Sequence, residues 1–238
     1  GGVIVLTIGH RGAAGVAPEN TLAAFKKAVQ AGLDMAELDV QLTKDKQLVV
    51  IHDQDLSRVA NCSAAVAELT LKELKELEVG SWWSREYAGE QIPTLAEVIE
   101  VVNGDLKLNI ELKPGLENKS LVVEQVVGLL QENNFTDQVI ISSFDHQLVK
   151  QVKELNPHLT TAVLMAACPI EPVEVIRWAN ADGLHLEQAV VNKEVVTEVK
   201  AAGYFINAWT VNELEIIKQF RQLGVTGIIT DDPDLMGS

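Results

Sequence analysis

The chain has 238 residues, 47% of them apolar but only 5% aromatic, and its 34 acids against 19 bases give a formal net charge of −15. That length suits one (β/α) barrel-sized domain or two small ones, and the composition excludes collagen, coiled coil and a wholly disordered chain. The acid surplus repels phosphate backbones and anionic lipid, which excludes a general nucleic-acid binder and a membrane-adsorbing protein, so an anionic ligand requires a local reversal of the field.

From Val3 onward, short β-branched runs alternate with amphipathic stretches, the rhythm of parallel βα units. The predicted strands are Val3–Gly9, Ala36–Leu42, Leu48–His52, Leu106–Lys113, Val139–Ser143, Thr160–Met165, Gly183–Glu187, Tyr204–Trp209 and Gly227–Thr230. Helices are predicted to begin at Asn20, Leu71, Thr94, Leu121, His146, Glu171, Asn192 and Asn212, several of them stopping at a glycine such as Gly32, Gly104, Gly203 or Gly224. No linker divides this series, so the chain reads as a single domain over residues 1–238.

Nine strands are one too many for an eight-stranded parallel barrel. Only a turn fits between Leu42 and Leu48, so these two strands are expected to form a hairpin. With Asp45-Lys46 as the turn pair, His52 would lie directly across from Asp39. Residues 54–93 hold one helix, Leu71–Leu77, and the aromatic group Trp82, Trp83 and Tyr87; they read as a small insertion at the barrel mouth.

Two strands carry chemistry on one face. In Ala36–Leu42 and Lys107–Lys113 the odd positions are polar and the even ones apolar. The helix layer of a barrel is apolar, so the charged face must point to the axis, where charge is costly unless paired or bound to metal. Glu37, Asp39 and Glu111 then converge as a hard-oxygen set suited to Mg²⁺ or Ca²⁺ rather than zinc. Pairing with Arg11, Lys107 or Lys113 is the alternative. The first strand ends in Gly9-His10-Arg11-Gly12 and the third in His52-Asp53. Two imidazoles at one mouth suit general acid–base work near neutral pH, and Arg offers a planar fork to phosphate oxygens. Pro18-Glu19-Asn20-Thr21 reads as a helix start with an Asn or Thr cap, His146 and His158 as solvated bystanders, and His185 as a structural histidine.

Taken in order, His10-Arg11-Gly12, Pro18–Thr21, Glu37–Val40, Leu48–Asp53, Asn109–Lys113, Ser142-Ser143-Phe144, Trp209–Asn212 and Ile229-Thr230-Asp231 resemble the glycerophosphodiester phosphodiesterase family. The resemblance implies a (β/α)₈ TIM barrel with a small insertion after the second histidine. It also implies one divalent cation, Mg²⁺ or Ca²⁺, held by Glu37, Asp39 and Glu111, with His10 and His52 as the acid–base pair. Arg11 and Lys113 would assist at the phosphate, Glu19 and Asn20 would border the site, and Phe144 and Trp209 would line the substrate groove. The implied activity is hydrolysis of glycerophosphodiesters to glycerol 3-phosphate and an alcohol through a cyclic phosphate. A lysophospholipase D-like or phosphoinositide phospholipase C-like activity, or a decayed binding module, are the alternatives. One departure stands out: after Leu56-Ser57-Arg58 the family usually continues Thr-Thr-Asn-Gly, whereas this chain reads Val59-Ala60-Asn61-Cys62, which bears on the rim contacts.

Cys62 and Cys168 are too few for a disulfide framework and read as free thiols. The expected partner is a small diester, with no nucleic acid and no stable membrane insertion, in a monomer or homodimer. A cytoplasmic location is expected; Gly1-Gly2 and Gly237-Ser238 read as processing scars, which leaves a removed signal and a secreted or periplasmic location open.

Overall fold

The computed structural model describes residues 5–102, 104–114 and 118–237. The strands are β1 (Leu6–Gly9), β2 (Met35–Leu42), β3 (Leu48–Val50), β4 (Lys107–Leu112), β5 (Val139–Ser143), β6 (Thr160–Met165), β7 (Gly183–Glu187), β8 (Phe205–Trp209) and β9 (Gly227–Thr230). Among the described residues, eight of these run parallel in the order β1-β9-β8-β7-β6-β5-β4-β2, and a β1–β2 pairing closes the ring. The fold is a TIM barrel, as the βα rhythm and the family resemblance implied. Predicted bounds hold within two residues for most strands; residues 3 and 4 of the first lie outside the described residues.

The helices are α1 (Leu22–Gln30), α2 (Ser57–Ala60), α3 (Leu71–Leu74), α4 (Leu95–Val102), α5 (Lys119–Glu132), α6 (His146–Leu155), α7 (Pro172–Trp178), α8 (Lys193–Ala201) and α9 (Leu214–Leu223). Thr21 caps α1, accepting from the Ala24 N–H, while Asn20 takes a left-handed backbone (φ 55°) that frees its side chain for the barrel. Outward residues of the strands, such as Leu38, Val40, Leu108 and Ile110, pack on the helices. Inward ones form layers: Ile8, Met35, Ile140, Ala162 and Ile229 make an apolar plug. Four polar side chains share this interior. Buried His185 lies 3.0 Å from Asn207 Nδ2 and 3.5 Å from Asn109 Nδ2, and Ser142 Oγ donates to Asn109 Oδ1. His185 is thus structural, as its sequence position suggested.

The surplus strand is antiparallel, pairing β3 with β2, but the register differs from the two-residue-turn expectation. Val40 faces Val50, and the Ile51 N–H donates to the Asp39 carbonyl, so His52 does not lie across from Asp39. The cause is a three-residue loop, Lys44-Asp45-Lys46, closed by paired Thr43 and Gln47 backbone groups with Lys46 in the left-handed region (φ 61°). Adding one loop residue shifts every cross-strand partner by one. The predicted helix Leu71–Leu77 is also shorter, a single capped turn.

Residues 54–93 form an excursion whose small core, Leu56, Val59, Val66, Leu74, Val79 and Ile92, is completed by Val49 and Ile51 of the β3 segment. Tyr87 Oη donates to the Val16 carbonyl at 3.0 Å, which fastens the excursion to the β1–α1 loop. Its indoles are half-exposed, and a guanidinium, that of Arg58, sits 5.7 Å over the Trp82 ring.

Candidate active site

Each polar group at the barrel mouth is placed by a strand end. Gly9 ends β1 where an added Cβ would lie 1.9 Å from the Gly12 carbonyl oxygen, so only glycine admits the tight curl that follows. Inside that curl Arg11 takes a left-handed backbone (φ 49°) and donates its N–H to Glu37 Oε2 at 2.8 Å. On the opposite side of the β2–β3 hairpin, Gln41 Nε2 lies 2.8–3.0 Å from the carbonyls of Ile51, His52 and Asp53 and so fixes the backbone that carries His52.

The result is a cavity of about 140 Å³ at the carboxyl ends of the strands, lined by His10, Arg11, Glu37, Asp39, His52, Asn109, Glu111, Lys113, Phe144, Leu164, Trp209, Thr210 and Ile229. It joins nine of the eleven side chains singled out in the sequence. Asn20 and Glu19 stand just behind: Asn20 Nδ2 donates to Asp39 Oδ2 at 2.8 Å, and Arg11 reaches Glu19 at 2.7 Å. Phe144 and Trp209 meet edge to face, 5.5 Å between centroids, as one aromatic wall. A larger groove between the hairpin and α5, lined by Leu48, Leu121, Gln125 and Glu132 among others, gathers no such set.

Glu37, Asp39 and Glu111 each offer an oxygen, all within 4.8 Å of one another. Register explains it: Asp39 and Glu111 are direct neighbours across β2 and β4, and Glu37 lies one inward step below Asp39. Lys113 Nζ lies 2.8 Å from both Asp39 and Glu111, so the pairing alternative holds in part. Burial opposes ionisation of Asp39, but Lys113 and Arg11 outweigh it and hold its pKa below the usual range. For Glu37 the His10 imidazole, 4.0 Å away, and the Arg11 N–H pull the pKa down but fall short. Burial, with Asp39 and Glu111 beside it, pushes its carboxyl up to about 8, and Glu111 is likewise raised, chiefly by burial and Asp39. Three buried carboxylates with one lysine between two of them leave a deficit of positive charge. This hard-oxygen set fits a divalent cation.

The histidines have carboxylate partners that sequence reading did not assign. His10 Nδ1 lies 2.7 Å from Asp231 Oδ1, and Asn212 holds the other oxygen of Asp231 at 2.5 Å. Burial disfavours the His10 imidazolium, but the Asp231 hydrogen bond and the Glu37 charge prevail and raise its pKa. His52 Nδ1 lies 2.7 Å from Asp53 Oδ1. Its pKa is lowered, because burial, aided by Lys113 and Arg11, outweighs Asp39 and Asp53. Asp231 belongs to the closing Ile229-Thr230-Asp231 segment, but its contact with His10 spans 221 residues, and only barrel closure brings β9 beside β1.

With this geometry in hand, comparison with known proteins is decisive. The model of the "Glycerophosphoryl diester phosphodiesterase family" matches residues 10–235. The chain belongs to that family. A glycerophosphodiester phosphodiesterase of Caldanaerobacter subterraneus subsp. tengcongensis is 41% identical over 232 residues, covering 97% of this chain and 96% of the relative. One from Bacillus altitudinis is 38% identical, with 94% of each chain covered. Among solved structures, an Oleispira antarctica phosphodiesterase in complex with the product sn-glycerol-3-phosphate superposes with a TM-score of 0.93 at 33% identity, covering 98% of this chain and 97% of that one. No helix among the described residues is long and apolar enough to cross a membrane.

Proposed function

We propose that this barrel mouth is the active site of a metal-dependent glycerophosphodiester phosphodiesterase, releasing glycerol 3-phosphate and an alcohol. The observation that carries the reading is the meeting of Glu37, Asp39 and Glu111 with His10 and His52 in one cavity, in a chain of this family. Glu37, Asp39 and Glu111 are the residues that would hold the cation, Mg²⁺ or Ca²⁺ by the hardness of their oxygens. When bound, the cation supplies charge neutralisation at the phosphoryl oxygens and lowers the pKa of a nearby hydroxyl.

The protein's own groups do the remainder. Arg11 and Lys113 line the same cavity and present N–H donors to phosphoryl oxygens. One imidazole takes the proton of the glycerol 2-hydroxyl as its oxygen attacks phosphorus; the other gives a proton to the alcohol oxygen as its bond to phosphorus breaks. Water then opens the cyclic glycerol phosphate with the proton roles reversed. Each transfer contributes ~10²–10⁴ in rate. Nδ1 of each ring is held by a carboxylate, which can only accept, so Nδ1 carries hydrogen and Nε2 is the nitrogen left for the diester. The wall of Phe144 and Trp209 packs the carbon skeleton of the substrate, with Glu19 and Asn20 supporting Arg11 and Asp39 from behind.

The test is release of glycerol 3-phosphate from glycerophosphocholine and glycerophosphoethanolamine, with chelator and with added Mg²⁺ or Ca²⁺. His10→Ala and His52→Ala should each abolish turnover while retaining metal binding. Full turnover in chelator, or in either variant, would overturn the reading. A 2-deoxy analogue that is still cleaved would replace internal attack by direct attack of water.

A further inference from the structure

The excursion of residues 54–93 sends one cation back to the site. Arg58, on α2, donates Nε to Asp53 Oδ2 at 2.6 Å and both terminal nitrogens to Glu19, at 2.7 and 2.8 Å. Asp53 in turn holds His52 Nδ1, and Glu19 holds Arg11. All five donors of a guanidinium lie in one plane, so a single rigid fork can fix two carboxylates at once, which an ammonium cannot. The fork is itself backed by Trp82, whose ring lies under the guanidinium, and the excursion is tied by Tyr87 to the same β1–α1 loop that carries Glu19. Arg58 does not line the cavity; His52 does.

We propose that Arg58 is a positioning residue for His52: it locks Asp53 in the orientation that holds the imidazole by Nδ1 and aims Nε2 into the cavity. The insertion thereby contributes to the chemistry without touching the diester. Asp53 left alone at the rim has rotamers in which its carboxylate turns to water and lets the ring swing. Held between Arg58 and His52 it has one, and a displacement of about 1 Å at a reacting group costs on the order of 10²-fold in rate. This inference rests on the reading of His52 as an acid–base residue.

The experiment uses the full chain with saturating Mg²⁺ and glycerophosphocholine. Arg58→Ala is expected to lower kcat by about 10–100-fold with KM within about threefold, and methylguanidinium added at millimolar concentration is expected to restore part of it. Arg58→Lys keeps the charge but not the fork and should lose nearly as much. Asp53→Asn should lose a similar share of kcat, and the double variant should fall well short of the product of the two losses, because the Arg58–Asp53 contact acts through one imidazole. Wild-type kcat in Arg58→Ala, or in a folded Arg58→Lys should Arg58→Ala fail to fold, would overturn the proposal. So would losses that multiply in the double variant. Retained turnover in His52→Ala would instead sink the reading of His52 itself, whatever Arg58 does.

Discussion

The Glu37 carboxyl provides the sharpest test of the proposed cation site, because its cost can be read as stability without any turnover. Its pKa stands at about 8 against an ordinary 4.5, so between those values the metal-free folded protein holds a proton that the unfolded chain has released. A raised folded pKa contributes stability that is complete below pH 4.5 and is lost as pH rises through 8. The full shift corresponds to at most about 5 kcal/mol, and a chain of this size changes Tm by about 2–4 °C per kcal/mol. The perturbation is Glu37→Gln, whose amide oxygen still accepts the Arg11 N–H. In chelator, the parent is expected to melt several degrees lower at pH 8.5 than at pH 6, while Glu37→Gln changes far less. Added Mg²⁺ or Ca²⁺ should raise the Tm of the parent at pH 8.5 and that of the variant little. Scanning calorimetry of both proteins at the two pH values decides it: a parent Tm that ignores pH in chelator, or a variant that falls in parallel, would refute the argument.

Two further outcomes follow from the same contacts. Asp231→Asn replaces an acceptor-only group on His10 Nδ1 by one that can donate, which allows the wrong tautomer; kcat should fall by about 10²-fold or more with KM nearly unchanged, and a loss under threefold would leave Asp231 without that role. His185 is fully buried, and burial lowers its pKa to about 3 from 6.5. A depressed histidine contributes stability that is present above pH 6.5 and lost as pH falls toward 3, up to about 5 kcal/mol. His185→Gln should therefore melt below the parent at pH 7 and converge on it by pH 4; a constant gap would show that the imidazole is not held neutral.

Much of this was legible in the sequence because period-two patterning marks the face of a strand. Glu37, Asp39 and Glu111 were assigned to the axis from alternation, and the register between β2 and β4 delivers them to one point. Strand existence was equally legible, since buried parallel strands are apolar runs bounded by helix caps. What was not legible depends on backbone choices that composition does not encode. The hairpin register turned on whether Lys46 adopts a left-handed backbone, an uncommon choice for lysine, and one residue of loop moved His52 away from Asp39. The helix start left Asn20 and Thr21 both open as the cap; Thr21 takes it, and Asn20 is left to reach Asp39. The contacts of Asp53 with His52 and Arg58 are short in sequence and visible in hindsight, whereas Arg58 with Glu19 and Asp231 with His10 join distant segments that only the closed barrel and the excursion bring together.

The mouth also explains how a protein of charge −15 accommodates an anionic phosphodiester. Among the described residues, Glu19, Glu37, Asp39, Asp53, Glu111 and Asp231 surround it, against Arg11, Arg58 and Lys113. Each of those three cations is already committed: Arg58 to Glu19 and Asp53, Arg11 to Glu19, Lys113 to Asp39 and Glu111. Where Glu37 and Glu111 are ionised, a monoanionic diester approaching the metal-free mouth therefore meets a net negative field. A divalent cation held by the three carboxylates would remove two units of that field and would leave Lys113 and Arg11 free to turn part of their charge toward phosphoryl oxygen. The acid surplus that first argued against a phosphate ligand would then make binding conditional on the cation, while a charge of −15 still disfavours polyanions.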